Sequence, residues 1–224
     1  ILAVHGNFDK ALELAREAAE KKGYAIVNSV NPYRLWGQRS GAFEISETLG
    51  DAPDWHAIPV GNAGNISAYW AGYRQYKELG KIKKLPAMMG FQAAGAAPLV
   101  TGEPCPKPET VATAIRIGNP VSASLARAAV SESGGAFNSV TDEEILAAQL
   151  LLSTKGGIFA EPASCAPLAG LVKLKKEGKL PKGITVSMIL TGNGLKDPDT
   201  AMSQVGRPVE TGDSLSELLE VMAK

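Results

Sequence analysis

Cysteine and histidine are the scarce residues here, two of each in 224. Cys105 and Cys165 stand far apart and outside Cys-x-x-Cys spacing. That excludes the disulfide framework of a small secreted domain and leads us to expect a reduced, cytoplasmic setting. His5 and His56 are isolated, and no spacing of His, Cys and carboxylates suggests a metal site. An excess of one charge is lacking too, since Lys plus Arg and Asp plus Glu number 23 each. No basic cluster carries interleaved aromatics, so neither nucleic acid nor an anionic membrane is an expected partner. No apolar run reaches the ~18 residues of a membrane span, and the opening residues do not read as a signal peptide.

What is present is ordinary for a globular chain: 45% apolar and 21% charged residues. At this length roughly 70–75% of the unfolded surface can be buried. Strand-like and helix-like segments alternate, which predicts an α/β fold with an open, mostly parallel, twisted sheet flanked by helices. The chain opens on Ile-Leu-Ala-Val without a methionine. This reads as a bare buried strand, so we expect residues upstream of it. A helix follows from Asn7 or Asp9 to about Lys22, with Phe8, Ala11, Leu12, Ala15 and Ala19 on its apolar face. Residues 24–27 read as the next strand, and residues after Pro32 as one helix to Leu49.

Further strands are expected at 57–60 and 88–92, and a short one at 158–160. The run 184–190 is the most strand-like and is expected at the centre of the sheet. Helices are expected after the 61–65 turn, from the capping box at Thr141 to near Ser153, from Pro162 to about Glu177, and from the capping box at Ser214. Residues 95–120, rich in Gly, Pro and Ala, read as an excursion with short helical pieces.

Three constellations carry chemistry. Gly61-Asn62-Ala63-Gly64-Asn65 lies between a strand and a helix, where close backbone approach and free amides suit a phosphate. It is neither a Walker A loop nor Gly-x-Gly-x-x-Gly, and a plain βα turn without a ligand remains an alternative. Thr191 follows the strongest strand, where ligands of open α/β sheets bind. Its hydroxyl suits a ring nitrogen of a cofactor, or else caps the next turn. Asn28, Ser29, Asn31 and Arg34 form a polar cluster suited to phosphate or carboxylate, or else a solvated Asn-Pro turn.

Six stretches, in order, carry a resemblance. They are Val-Asn-Ser-Val-Asn-Pro at 27–32, Pro-Val-Gly-Asn-Ala-Gly-Asn at 59–65 and Gly-Phe-Gln-Ala-Ala-Gly-Ala-Ala-Pro at 90–98. They continue with Ala-Thr-Ala-Ile-Arg-Ile-Gly-Asn-Pro at 112–120, Glu-Pro-Ala-Ser at 161–164 and Leu-Thr-Gly-Asn-Gly-Leu-Lys-Asp at 190–197. Together they resemble the threonine synthase family, pyridoxal-phosphate enzymes of the tryptophan-synthase-β-like class.

The resemblance implies that residues 1–34 are the tail of a small substrate domain and 35–224 a large cofactor domain. It implies pyridoxal 5′-phosphate as cofactor, its phosphate cradled by Gly61, Asn62, Ala63, Gly64 and Asn65 and its ring nitrogen met by Thr191. It implies O-phosphohomoserine as substrate, held by Asn28, Ser29 and Arg34, and a homodimer converting it with water to threonine and phosphate. Glu161 to Ser164 resemble the strand-to-helix turn beside the cofactor. The family's Schiff-base lysine, in a Ser-x-Lys-Asp segment upstream, has no counterpart here, nor does its Ser/Thr-Gly-Asn loop. Lys196 sits after the threonine turn and is given no catalytic role. A missing amino-terminal part is therefore expected, and a fragment inactive alone. The rivals are a threonine dehydratase or cysteine-synthase-like enzyme of the same class, and a non-catalytic module binding a phosphorylated metabolite. Cys165 reads as a small buried apolar group, and His56 as a structural hydrogen-bonder.

Overall fold

The computed structural model describes residues 2–6, 8–28, 31–205 and 209–223. Its helices are α1 (Phe8–Lys22), α2 (Pro32–Gln38), α3 (Ser40–Leu49), α4 (Gly64–Glu78), α5 (Pro98–Thr101), α6 (Ala123–Glu132), α7 (Asp142–Gly156), α8 (Pro162–Lys176), α9 (Pro198–Val205) and α10 (Leu215–Met222). Its strands are β1 (Trp55–Pro59), β2 (Ala87–Ala93), β3 (Ala136–Val140) and β4 (Val186–Met188). All pair in parallel in the order β3-β2-β1-β4.

Side chains alternate across the two central strands, and the alternation builds two cores. Ala57, Met89 and Phe91 point to one face and pack with Val140, Ile145, Ala166 and Ala169, so α7 and α8 cover that side. Ile58, Val60 and Met88 point to the other and pack with Ala42, Ile66, Tyr73, Ala126 and Ala129 of α3, α4 and α6. The result is the three-layer arrangement expected of a parallel sheet buried on both faces. On one side the helix lies directly on the sheet: a Cβ at Gly170 of α8 would stand 2.0 Å from the Phe91 ring.

Helix ends follow their local chemistry. Thr141 accepts from the Glu144 amide at 3.2 Å, and Glu144 accepts from the Thr141 amide at 2.9 Å, so the capping box at α7 is complete. The box predicted at Ser214 likewise opens α10. Asn31 caps α2 by accepting from the Tyr33 amide at 2.9 Å, with Pro32 at the first helical position.

Several expectations are corrected. Leu2 to Val4 form no strand: Leu2 is almost fully exposed and pairs with no strand among the described residues. Residues 24–27 are not a strand either, because their backbone is engaged in turns. The Tyr24 amide donates to Ala19 O at 2.9 Å, and Asn31 Nδ2 donates to Ile26 O at 2.8 Å. The helix after Pro32 is two helices, parting at Arg39 just after Gly37, a poor helix former. Residues 158–160 contribute only an isolated antiparallel bridge between Ala160 and Asn193.

The run 184–190 yields just Val186–Met188, which pair with Trp55–Ala57 at the sheet's edge rather than its centre. Local strand character does not decide how many neighbours a strand acquires. Helix α6 and strand β3 were not anticipated from the sequence. Between β2 and α6 the excursion holds two 3-10 turns and α5, as expected.

Candidate functional site

A cavity of about 630 Å³ opens beyond the carboxyl ends of β1 and β4. That is the side on which parallel α/β sheets bind ligands, and the volume falls in the range of roughly 300–1,000 Å³ usual for small-molecule sites. Of the residues singled out from the sequence, Arg34, Gly61, Asn62, Ala63, Gly64, Asn65 and Thr191 all line it. Asn28 does not, and Ser29 lies outside the described residues.

The glycine-containing loop is held from beneath. Val60 N donates to Phe91 O at 2.8 Å, extending the β1–β2 ladder by one bond. Gln92, fully buried, donates to Val60 O at 3.2 Å and accepts from the Leu99 amide at 2.8 Å. Asn62 Oδ1 accepts from the Val121 amide at 2.7 Å, tying the loop to the excursion. Ala63 stands at φ 66°, the only positive-φ non-glycine among the described residues. Left-handed backbone costs an L-residue roughly 1–2 kcal/mol, and such strain gathers at ligand sites.

A left-handed residue just before a helix turns successive amides into one concavity, the geometry of an anion nest. Among the described residues the amides of Gly61, Asn62 and Ala63 have no acceptor. Asn62 Nδ2 and Asn65 Oδ1 are buried without a partner. The donors among these, the three amides and Asn62 Nδ2, fit a phosphate at a helix start, because an anion supplies the missing acceptors; Asn65 Oδ1 is itself an acceptor and calls for a donor instead.

Arg34 enters from α2. This helix is seated on α4 by Leu35, whose Cδ2 lies 2.9 Å from where a Gly64 Cβ would be, and by Asn65 Nδ2 donating to Gln38 Oε1 at 3.2 Å. Arg34 and Gln38, one turn apart, therefore face the cavity together. Helical spacing in the sequence was the signal for Gln38, and the sequence reading did not use it.

Across the cavity, Thr191 caps no turn; the cap of the next 3-10 turn is Asn193. Its Oγ1 lies 3.0 Å from Ser164 Oγ and donates to Glu161 Oε1 at 3.5 Å. Glu161 is buried, and its Oε2 meets Lys196 Nζ at 2.8 Å. Gly192 makes room for this carboxylate, because a Cβ there would lie 2.3 Å from it. The turn beginning at Glu161 is expected beside the cofactor and Glu161 lines the cavity; its pairing with Lys196 was not anticipated. Nor were Tyr69 and the wall of Thr113, Ala114, Ile115 and Ile117.

Two further groups behave as the sequence suggests. Cys165 is buried, and burial together with Glu161 pushes its thiol up to about 12, so it is no nucleophile. His56 Nδ1 lies 3.0 Å from Tyr73 Oη and 3.1 Å from Ser187 Oγ, and burial pushes it down to about 3. No group of three metal-binding side chains occurs among the described residues, and no described helix is long and apolar enough to cross a membrane.

Residues 1–192 match the family described as "Pyridoxal-phosphate dependent enzyme". The threonine synthase of Synechocystis sp. is 56% identical over all 224 residues, which are 58% of that protein. That of Mycobacterium tuberculosis is 57% identical over 92% of this chain and 57% of its own length. That of Methanocaldococcus jannaschii is 46% identical over 99% of this chain and 57% of its own. The chain thus spans somewhat more than half the length of these curated relatives.

Among solved structures, threonine deaminase isoform 2 from Solanum lycopersicum superposes with a TM-score of 0.72 at 21% identity, over 91% of this chain and 58% of that one. Maize serine racemase does so at 0.71 and 17%, over 100% and 64%. These two share the fold. A match over this much of the chain, together with a sheet and cavity of this form, places the chain in the family of pyridoxal-phosphate-dependent enzymes.

Proposed function

We propose that this chain forms the phosphate-holding walls of a threonine synthase, which converts O-phosphohomoserine and water to threonine and phosphate. The observation that carries the reading is one cavity lined at once by the 61–65 loop, by Arg34 and by Thr191. The loop amides and Asn62 Nδ2 bind the phosphate of pyridoxal 5′-phosphate, and Thr191 faces its ring nitrogen. Bound there, the cofactor supplies an electron-withdrawing ring that eases removal of protons from the amino-acid substrate.

Arg34, with its planar fork of donors, takes the substrate phosphate, and Asn28 and Ser29 are proposed to join it. A guanidinium lining the cavity in addition to the loop amides favours a phosphorylated substrate over the unphosphorylated ones of a dehydratase. Lys196 is engaged with Glu161 and is not proposed as the lysine that carries the cofactor. The reading extends to residues 1–34 as the tail of a substrate domain, with 35–224 as the cofactor domain. It also takes in a cytoplasmic homodimer, supported by the family resemblance and by two unpaired cysteines.

The natural protein carrying this sequence, given O-phosphohomoserine, is expected to release threonine and phosphate in equal amounts; absence of threonine refutes the proposal. Arg34→Ala is expected to raise KM roughly tenfold or more, as a lost charge-assisted hydrogen bond implies. An unchanged KM would favour the unphosphorylated substrate.

A further inference from the structure

The hydroxyl of Thr191 has one proton and several neighbours, so what it offers the cavity depends on residues behind it. Ser164 is fully buried in the first turn of α8. Its Oγ accepts from the Gly192 amide at 2.9 Å. Its own O–H then has two acceptors within reach, Thr191 Oγ1 at 3.0 Å and Gly192 O at 3.4 Å. Gly192 O is already taken by the Glu161 amide at 3.0 Å. The shorter and less occupied choice is Thr191.

A Thr191 oxygen that receives the Ser164 proton must send its own elsewhere. One acceptor within the protein is Glu161 Oε1, at 3.5 Å, the outer limit of a hydrogen bond. Glu161 is satisfied on its other oxygen by Lys196, at 2.8 Å. It therefore does not depend on Thr191, and the long bond is readily exchanged for a better acceptor in the cavity.

We infer that Ser164 is a positioning residue. By donating to Thr191 it fixes that hydroxyl as a hydrogen-bond donor toward the cavity, selecting a ligand with an unprotonated ring nitrogen, while the Glu161–Lys196 pair holds the proton loosely until such a ligand arrives. The inference rests on the assignment of Thr191 to the ring nitrogen and specifies the direction of that bond.

Two probes read the direction without turnover: pyridoxine 5′-phosphate, and its analogue with CH in place of the ring nitrogen. The measured quantity is the ratio of their dissociation constants in the natural protein, which is expected to favour the nitrogen compound by roughly tenfold. Ser164→Ala is expected to lower the ratio roughly threefold to tenfold while the carbon analogue binds as before.

Glu161→Gln acts in the opposite sense. Facing Lys196, the new side chain must turn its oxygen to the ammonium and its NH2 to Thr191, which removes the competing acceptor. The ratio should therefore rise, by roughly threefold. A purely structural role would weaken both probes alike, and that result, or an unchanged ratio in Ser164→Ala, overturns the inference. Should Ser164→Ala not fold, a ratio that fails to rise in Glu161→Gln overturns it. If the unaltered protein holds both probes equally well, the assignment of Thr191 itself fails. If it discriminates and the variants do not alter the ratio, only the inference falls.

Discussion

At the scale of the residue, burial decides chemistry more than identity does. His56 is the second residue of β1 and fully enclosed by Tyr69, Tyr73 and Ser187, with Nε2 lacking a partner. Its folded-state pKa is pushed from 6.5 to about 3 by desolvation alone. The sign follows directly. Below pH 6.5 the unfolded chain takes up a proton that the folded chain refuses, so this contribution is whole above 6.5 and is lost as pH falls toward 3. The expected slope is about 1.4 kcal/mol per pH unit well inside that window. Urea unfolding at pH 7 and pH 4 measures it, and His56→Gln should flatten the difference relative to the unaltered protein.

Residue-level reading of the sequence succeeded at Cys165, at His56 and at the Thr141 cap. It did not reach the partner of Lys196, because Glu161 lies 35 positions away and is brought close by the Ala160–Asn193 bridge and the hydrogen bonds around it.

At the scale of the element, helix periodicity was legible and strand context was not. The apolar spacing of α1, the proline that opens α8 and the capping boxes of α7 and α10 are written in contiguous residues, so the starts of α7, α8 and α10 agree with the structure. Helix α7 runs on to Gly156, beyond the expected end near Ser153, and the expected cap Asn7 of α1 lies outside the described residues. Strand placement depends on partners far along the chain. The run 184–190 carries the strongest strand pattern, yet it lies at an edge and retains three paired residues. Residues 24–27 have strand composition and no partner strand among those described.

Glycines show the same division between local propensity and distant contact. Gly37 in α2 has nothing within 4 Å of its missing Cβ, whereas Gly170 in α8 is pressed against Phe91. Gly37→Ala is therefore expected to stabilise by roughly 0.5–1 kcal/mol, the helix preference of alanine over glycine. Gly170→Ala should destabilise by roughly 1–3 kcal/mol through overpacking of the α8–β2 contact. Denaturant midpoints for the two variants, moving in opposite directions, check the pair.

At the scale of the whole molecule, the parallel order β3-β2-β1-β4 sends the chain from the same end of β1 and of β4 into the segments that face each other across the cavity. The loop after β1 and the turn after β4 are 130 positions apart in sequence, and nothing local in either says that they meet. What made the meeting legible was the six stretches taken together in order. The sheet order that produces it was not legible, because strand neighbours are chosen by long-range packing.

One ligand bridging the two walls joins the segments that leave two neighbouring strands, β1 and β4, so binding should be felt as global stability. Pyridoxine 5′-phosphate at a hundredfold excess over its dissociation constant should add about 2.7 kcal/mol, raising Tm by roughly 5–10 °C. Pyridoxine without its phosphate should do far less at the same concentration, because the loop amides would then keep no acceptor. Equal shifts from the two compounds would mean that the Gly61–Asn65 amides do not hold the phosphate. A calorimetric scan of each variant and ligand separates these outcomes, since Arg34→Ala, which touches the other anion site, should leave the difference between the two compounds intact.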